Sequence, residues 1–238
     1  MASNEETADT GLLIGIREAL TAQADPQRAE QQQRYMKSKL PYHGLPNPLV
    51  QLICRELFAV HPVPDRATWV ATALTLWDEA THREEWYAAI NLLRHRPYRS
   101  WAQVPESLSL YQHLITSGAW WDVVDEVAAH LVGDLVREHH AQISPVMRAW
   151  ASDADPWLRR TAIICQLRSK DDTDVDLLTD AIEANLSQTG FFLRKAIGWA
   201  LRDFARTDPD WVREFVRTHE SSLSGLSTRE ALKHLGPL

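Results

Sequence analysis

The feature that most constrains this chain is a spacing of large aromatics. Trp86, Trp121, Trp157 and Phe192 follow one another at separations of 35, 36 and 35 residues. Near-equal intervals of this size are the signature of stacked helix-turn-helix units, each of which buries its apolar face only against a neighbour. The strings agree as well: WLRRTAI from Trp157 lies over FLRKAIG from Phe192.

Local signals say that the units are helical. Apolar residues recur at three and four, as in Leu12, Ile16 and Leu20, or Val124, Val127, Ala128, Leu131 and Leu135, which is the period of one helix face. Pro26, Pro41, Pro46, Pro48, Pro62, Pro64, Pro97, Pro105, Pro145, Pro156 and Pro209 fall where the periodicity breaks, so they read as punctuation between helices. Asp65 before Arg66, Asp155 before Pro156, and Ser227 with Glu230 read as helix starts. The expected fold is all-α, a superhelical stack of about ten to twelve HEAT-like helices with a concave face and no sheet. Its extent is a disordered tail at residues 1–8, then one domain over 9–238.

Other classes drop out. Cys54 and Cys165 are far apart and lack ligand spacing, so neither a disulfide framework nor zinc is expected, and a reducing cytoplasm fits. No run of 18 apolar residues occurs, and the opening MASNEETADT is acidic, so no membrane or secretory segment is expected. P-loop, GxGxxG, GxSxG and HExxH strings are absent. His139 and His140 cannot face one metal from a helix, and His113 and His130 read as surface or lining residues. No lysine suits Schiff-base chemistry.

The net charge of −7 argues against a nucleic-acid partner, but it conceals a patch. From Trp157 to Lys170 the chain carries Arg159, Arg160, Arg168 and Lys170 and no acid. Such a run is either a solvated face or a phosphate track. From Gly190 to Phe204, Ile197, Ala200, Leu201 and Phe204 form a core stripe, while Phe192, Lys195, Trp199 and Arg202 share another side. Trp199 either packs on a neighbouring repeat or faces a ligand. Among the ten tryptophans, Trp69, Trp77, Trp86, Trp101, Trp150 and Trp211 read as core. The stretch SGAWWDVVDE, Ser117 to Glu126, is different: Trp121 and Asp125, four apart, place an indole beside a carboxylate on one face. A helix-start carboxylate also suits the helix dipole.

Taken together, RYMKSK (Arg34 to Lys39), AWWDVVDEV (Ala119 to Val127), WASDADPWLRRTAI (Trp150 to Ile163), FFLRKAIGWALRDFART (Phe191 to Thr207) and LSTREALKHL (Leu226 to Leu235) resemble the AlkD-like DNA alkylation repair glycosylases of HEAT-like repeats. The resemblance spans nearly the whole chain, and WWDxVD, WLxRxAI and KAIGW in this order carry it. It implies an active site of Trp121, Asp125 and Trp199, with Arg160 and Tyr35 in the DNA cleft. With the basic patch and the aromatic face, the expected DNA-binding set is Tyr35, Lys37, Arg159, Arg160, Arg168, Phe192, Arg194 and Lys195. Gln51 stands three residues after Pro48, where family members often carry a base.

The implied activity is hydrolysis of the N-glycosidic bond of positively charged alkylated purines in double-stranded DNA by a monomer. No metal or organic cofactor is implied. Two indoles against a cationic nucleoside contribute roughly 0.5–2 kcal/mol each. A carboxylate about 4 Å from a developing sugar cation, at an effective dielectric near 20, contributes on the order of 4 kcal/mol, or about three decades in rate. Asp125 therefore outweighs either indole. Most glycosylases extrude the base; here the resemblance implies a stacked lesion gripped through its backbone, tolerance of bulky adducts, and salt-sensitive affinity. The alternative is a non-catalytic HEAT-like protein that binds DNA or another protein on the same face. In this reading Trp120 and Asp122 are the structural pair, and Trp121 and Asp125 face the cleft.

Overall fold

The computed structural model describes residues 8–235 and is all-α, with no strand among them. The expected tail at residues 1–8 lies almost wholly outside them. Two compact units result, one ending at Ala102 and one beginning at Gln103.

The first unit holds α1 (Thr10–Ala22), α2 (Pro26–Met36), α3 (Asn47–Val60), α4 (Arg66–Asp78), α5 (Arg83–Leu93) and the short α6 (Arg99–Ala102). Asp9, Asp25 and Asp65 cap α1, α2 and α4 through backbone N–H groups, satisfying donors that a first turn leaves open. α1 packs on α3, α4 and α5, and the stripe Leu12, Ile16, Leu20 is fully buried. Glu84 and Glu85 at the start of α5 are also buried, and both carboxylates are compensated. Glu84 accepts the backbone N–H groups of His43, Gly44 and Leu45, and Glu85 accepts those of Thr81 and His82 and an Arg17 hydrogen bond. Trp69 and Trp77 are buried, and Trp86 stacks on Trp77 at 4.5 Å.

The second unit runs α7 (Leu108–Gly118), α8 (Trp121–Glu126), a π-helical segment (Val127–Val132), α9 (Gly133–Glu138), α10 (His140–Ala151), α11 (Pro156–Ile164), α12 (Val175–Glu183), α13 (Phe191–Phe204), α14 (Pro209–Thr218) and α15 (Gly225–Ala231). These are pairs: the continuous α8–π–α9 helix with α10, α11 with α12, α13 with α14. Equivalent members lie side by side, α8 and the π segment on α11, α11 on α13, α13 on α15, and α10 on α12. Trp121, Trp157 and Phe192 sit at the starts of α8, α11 and α13. The aromatic period thus marks the first helix of each pair, as the helix-turn-helix spacing implies, because each repeat contains two.

Three local expectations are corrected. Among the described residues the helices outnumber the ten to twelve anticipated, since short pieces such as α6 add to the longer ones. Pro145 lies inside α10 rather than between helices. The last helix starts earlier than Ser227: Ser224 is its cap, and the Ser227 hydroxyl donates to the Arg194 carbonyl.

Candidate active site

At the start of α8, Ala119 takes a left-handed conformation (φ 41°) and closes α7, and Trp120 is the extended N-cap residue. This tight corner sends the two indoles different ways. Trp120 packs into an aromatic cluster, with ring centroids 6.1 Å from Trp157 and 5.3 Å from Phe192, and these two rings lie 5.1 Å apart. Trp121, one residue on, is half-buried, as is Asp125 one turn below it.

The Asp125 side chain is 15 % exposed and faces Arg160 of α11. Arg160 Nε donates to Oδ1 at 2.6 Å and Nη2 to Oδ2 at 2.8 Å, while Nη1 donates to the Phe192 carbonyl at 2.5 Å. One guanidinium therefore ties α8, α11 and α13 together. Burial pushes the Asp125 carboxyl above its ordinary value, the two Arg160 hydrogen bonds and charge pull against it, and Asp122 and Glu126 push it further up. The result is a desolvated carboxylate of fixed orientation, with planar fork geometry that lysine cannot supply.

Trp199 is half-buried on α13, seven residues and about 10.5 Å of helix from Phe192. Seven residues make nearly two turns, so it lies on the same side of α13 as Phe192. The core stripe Ile197, Ala200, Leu201 and Phe204 is buried as its period implies.

The expected DNA-binding residues take different positions. Arg160 is 3 % exposed with all its donor nitrogens engaged by protein, so it is not the exposed cation that a phosphate contact requires. Arg159 caps the end of α10, donating to the Asp153 and Ser152 carbonyls and to Asn185. Arg194 donates to the Gln188 carbonyl, and Phe192 belongs to the aromatic cluster. Lys195 reaches Glu230 of α15 at 2.6 Å, and Arg202 shares that carboxylate at 2.5 Å. The cationic side of α13 is therefore covered by an acid; the Lys195 hydrogen bond holds the Glu230 carboxyl below its ordinary value, burial opposes it, and the Arg202 charge assists. Arg168 is exposed in a left-handed conformation (φ 70°), its N–H held by Asp203 and its guanidinium 3.5 Å from His130. In the first unit, Tyr35 is 76 % exposed at the end of α2, Lys37 is its exposed left-handed cap, and Gln51 is exposed on α3.

His139 and His140 bond to separate partners, the Gln103 carbonyl and Asp174, and the described residues contain no cluster able to hold a metal. Glu230 and Asp203 are the acidic partners of these cations that motif reading missed. A signal for them existed: Asp125 to Arg160, Arg168 to Asp203 and Lys195 to Glu230 are each separated by 35 residues, one repeat length, with a charge at both ends.

A model of the family described as DNA alkylation repair enzyme matches residues 16–235. Among solved structures, the chain is similar to a predicted DNA alkylation repair enzyme from Enterococcus faecalis, at 31 % identity over 91 % of this chain and 98 % of that one, with a TM-score of 0.79. No curated protein matches.

Proposed function

The chain belongs to the DNA alkylation repair enzymes, and from that premise we propose that it is an AlkD-like monofunctional DNA glycosylase. Its substrates are purines made cationic by alkylation in double-stranded DNA, N3-alkyladenine and N7-alkylguanine, bulky adducts included, and it hydrolyses the N-glycosidic bond with the base left in the stack. The observation that carries this reading is the Asp125 carboxylate, desolvated, oriented by Arg160 and one helical turn from the Trp121 indole.

The chemistry suits that arrangement. Positive charge moves from the base to the sugar as the bond breaks, and the base leaves neutral without a general acid. Asp125 stabilises the sugar cation and orients water, and it does so best where fixed dipoles replace solvent. Arg160 counters the burial that raises the Asp125 carboxyl and points both oxygens. Trp121 and Trp199 offer faces to the cationic nucleoside. No step needs a metal or an organic cofactor, because the lesion itself carries the activating charge.

Tyr35 and Lys37 in the first unit and Arg168 in the second, each exposed, are taken individually as contacts to the DNA backbone. The family model's span of residues 16–235 supports reading residues 9–238 as one HEAT-like repeat domain. A monomer acting on DNA in the bacterial cytoplasm completes the proposal.

Incubation with purine-methylated duplex and analysis of released bases tests it. Wild type releases 3-methyladenine or 7-methylguanine, and Asp125→Asn slows release by about three decades. The bidentate pair also suits a non-catalytic DNA-binding protein, in which Asp125 only anchors Arg160. No free base from wild type, or equal release by Asp125→Asn, selects that second reading. Trp199→Ala is expected to lower turnover more than affinity for undamaged duplex.

A further inference from the structure

Asp125 sits on a helix that is not uniform. α8 continues without a break into the π-helical segment Val127–Val132 and then α9. π turns are rare and concentrate at functional sites. This one begins two residues after Asp125 and ends at Val132, immediately before Gly133.

Gly133 is where the helix meets α11 main chain to main chain. A Cβ placed on it would stand 2.5 Å from the Cys165 carbonyl oxygen and 3.4 Å from Arg137 Nη1. The carbonyl belongs to Cys165, the fully buried residue that caps the end of α11. One turn further on, Arg137 Nη1 donates to Ser169 Oγ at 3.3 Å, fixing the same contact. The two helices are therefore joined at two levels: through the long Arg160 side chain at Asp125, and through bare backbone at Gly133.

We propose that Gly133 and the π segment are a positioning device for the catalytic carboxylate: the close approach at Cys165 sets the separation of α8 from α11, and so the seat of Asp125 on Arg160. The inference rests on reading Asp125 as the catalytic carboxylate. Its physical basis is leverage. A continuous helix moves as a body, and Asp125 is eight residues, or about 12 Å of helix, from the fulcrum. A side chain at Gly133 opens the gap by the fraction of an ångström that a methyl group needs, and a shift of that order lengthens hydrogen bonds of 2.6 and 2.8 Å. Had the helix faced open space here, alanine would strengthen it, since glycine is the poorer helix former.

The test reads Asp125 directly. In protein labelled with 13C at aspartate carboxyls, the Asp125 resonance of Gly133→Ala is expected to titrate about one unit higher than wild type, because the arginine pairing that lowers it is loosened. Base release falls on the order of tenfold to a hundredfold with little change in duplex affinity. Val212→Ala, a cavity in fully buried α14 packing, serves as the control: it lowers stability and leaves the Asp125 titration where it was. Ser169→Ala removes the Arg137 acceptor without a clash or a charge change, and moves the titration the same way by less. An unmoved Asp125 midpoint in folded Gly133→Ala overturns the proposal; should that variant not fold, the Ser169→Ala titration decides in the same sense. Since the titration needs no substrate, a wild type that releases no base would refute the glycosylase reading and leave this measurement intact.

Discussion

Removing the guanidinium from Arg160 while keeping its bulk, as in Arg160→Met, tests the charge economy of the site. Asp125 would remain 15 % exposed with no cation against it, and breaking a buried pair from one side costs about 3–5 kcal/mol. A second bound comes from proton linkage. The stranded carboxylate can take up a proton, and at pH 7 that costs at most about 4 kcal/mol, 1.36 times the distance from an unfolded value near 3.9. At pH 5 the same ceiling falls to about 1.5 kcal/mol. The lost donor to the Phe192 carbonyl adds about 1 kcal/mol at either pH. The sign follows: folded variant holds a proton that its unfolded chain has released, so its stability rises as pH falls from the raised folded value toward the unfolded one. Urea unfolding should therefore show a loss of about 4–5 kcal/mol at pH 7 that shrinks by about 2–3 kcal/mol at pH 5. Asp125→Asn in the same chain should recover much of the loss, because no charge is then stranded. A loss under about 1 kcal/mol at pH 7, an equal loss at both pH values, or a double variant as weak as the single one would refute the reasoning.

Three other outcomes follow from side-chain partners. Arg168→Gln should lower the slope of log affinity against log salt for duplex DNA by about one, whereas Arg159→Gln, whose donors serve the end of α10, should leave the slope unchanged. Burial pushes Glu85 up, but the Arg17, Thr81 and His82 hydrogen bonds hold it below its ordinary value. Its stabilisation is present above the unfolded glutamate value and lost as pH falls through the lower folded one, so Glu85→Gln should flatten that acid limb in a thermal unfolding series. Cys54 and Cys165 are both buried and pushed up to about 12, so neither should react with a disulfide reagent at pH 8 until urea unfolds the chain.

Sequence alone determined what is periodic or local. The three-four recurrence of apolar residues dictated helices, the 35-residue interval dictated pairing into repeats, and Asp65 and Asp155 started the helices they precede. Trp121 and Asp125 shared a face because four residues make about one turn. The tertiary structure decided which charges are spent. In sequence, Arg159, Arg160, Arg194 and Lys195 read alike as cations available to phosphate. Only when α8, α11, α13 and α15 lie side by side does Arg160 disappear beneath Asp125, Lys195 meet Glu230, and Arg159 close the end of α10. The physical reason is that a charge's partner is set by distance in space, and Coulomb energy falls too steeply with separation and solvent screening for chain order to fix it. The same holds for Gly133, whose value lies in a carbonyl 32 residues away in the chain and a fraction of an ångström too close for a Cβ.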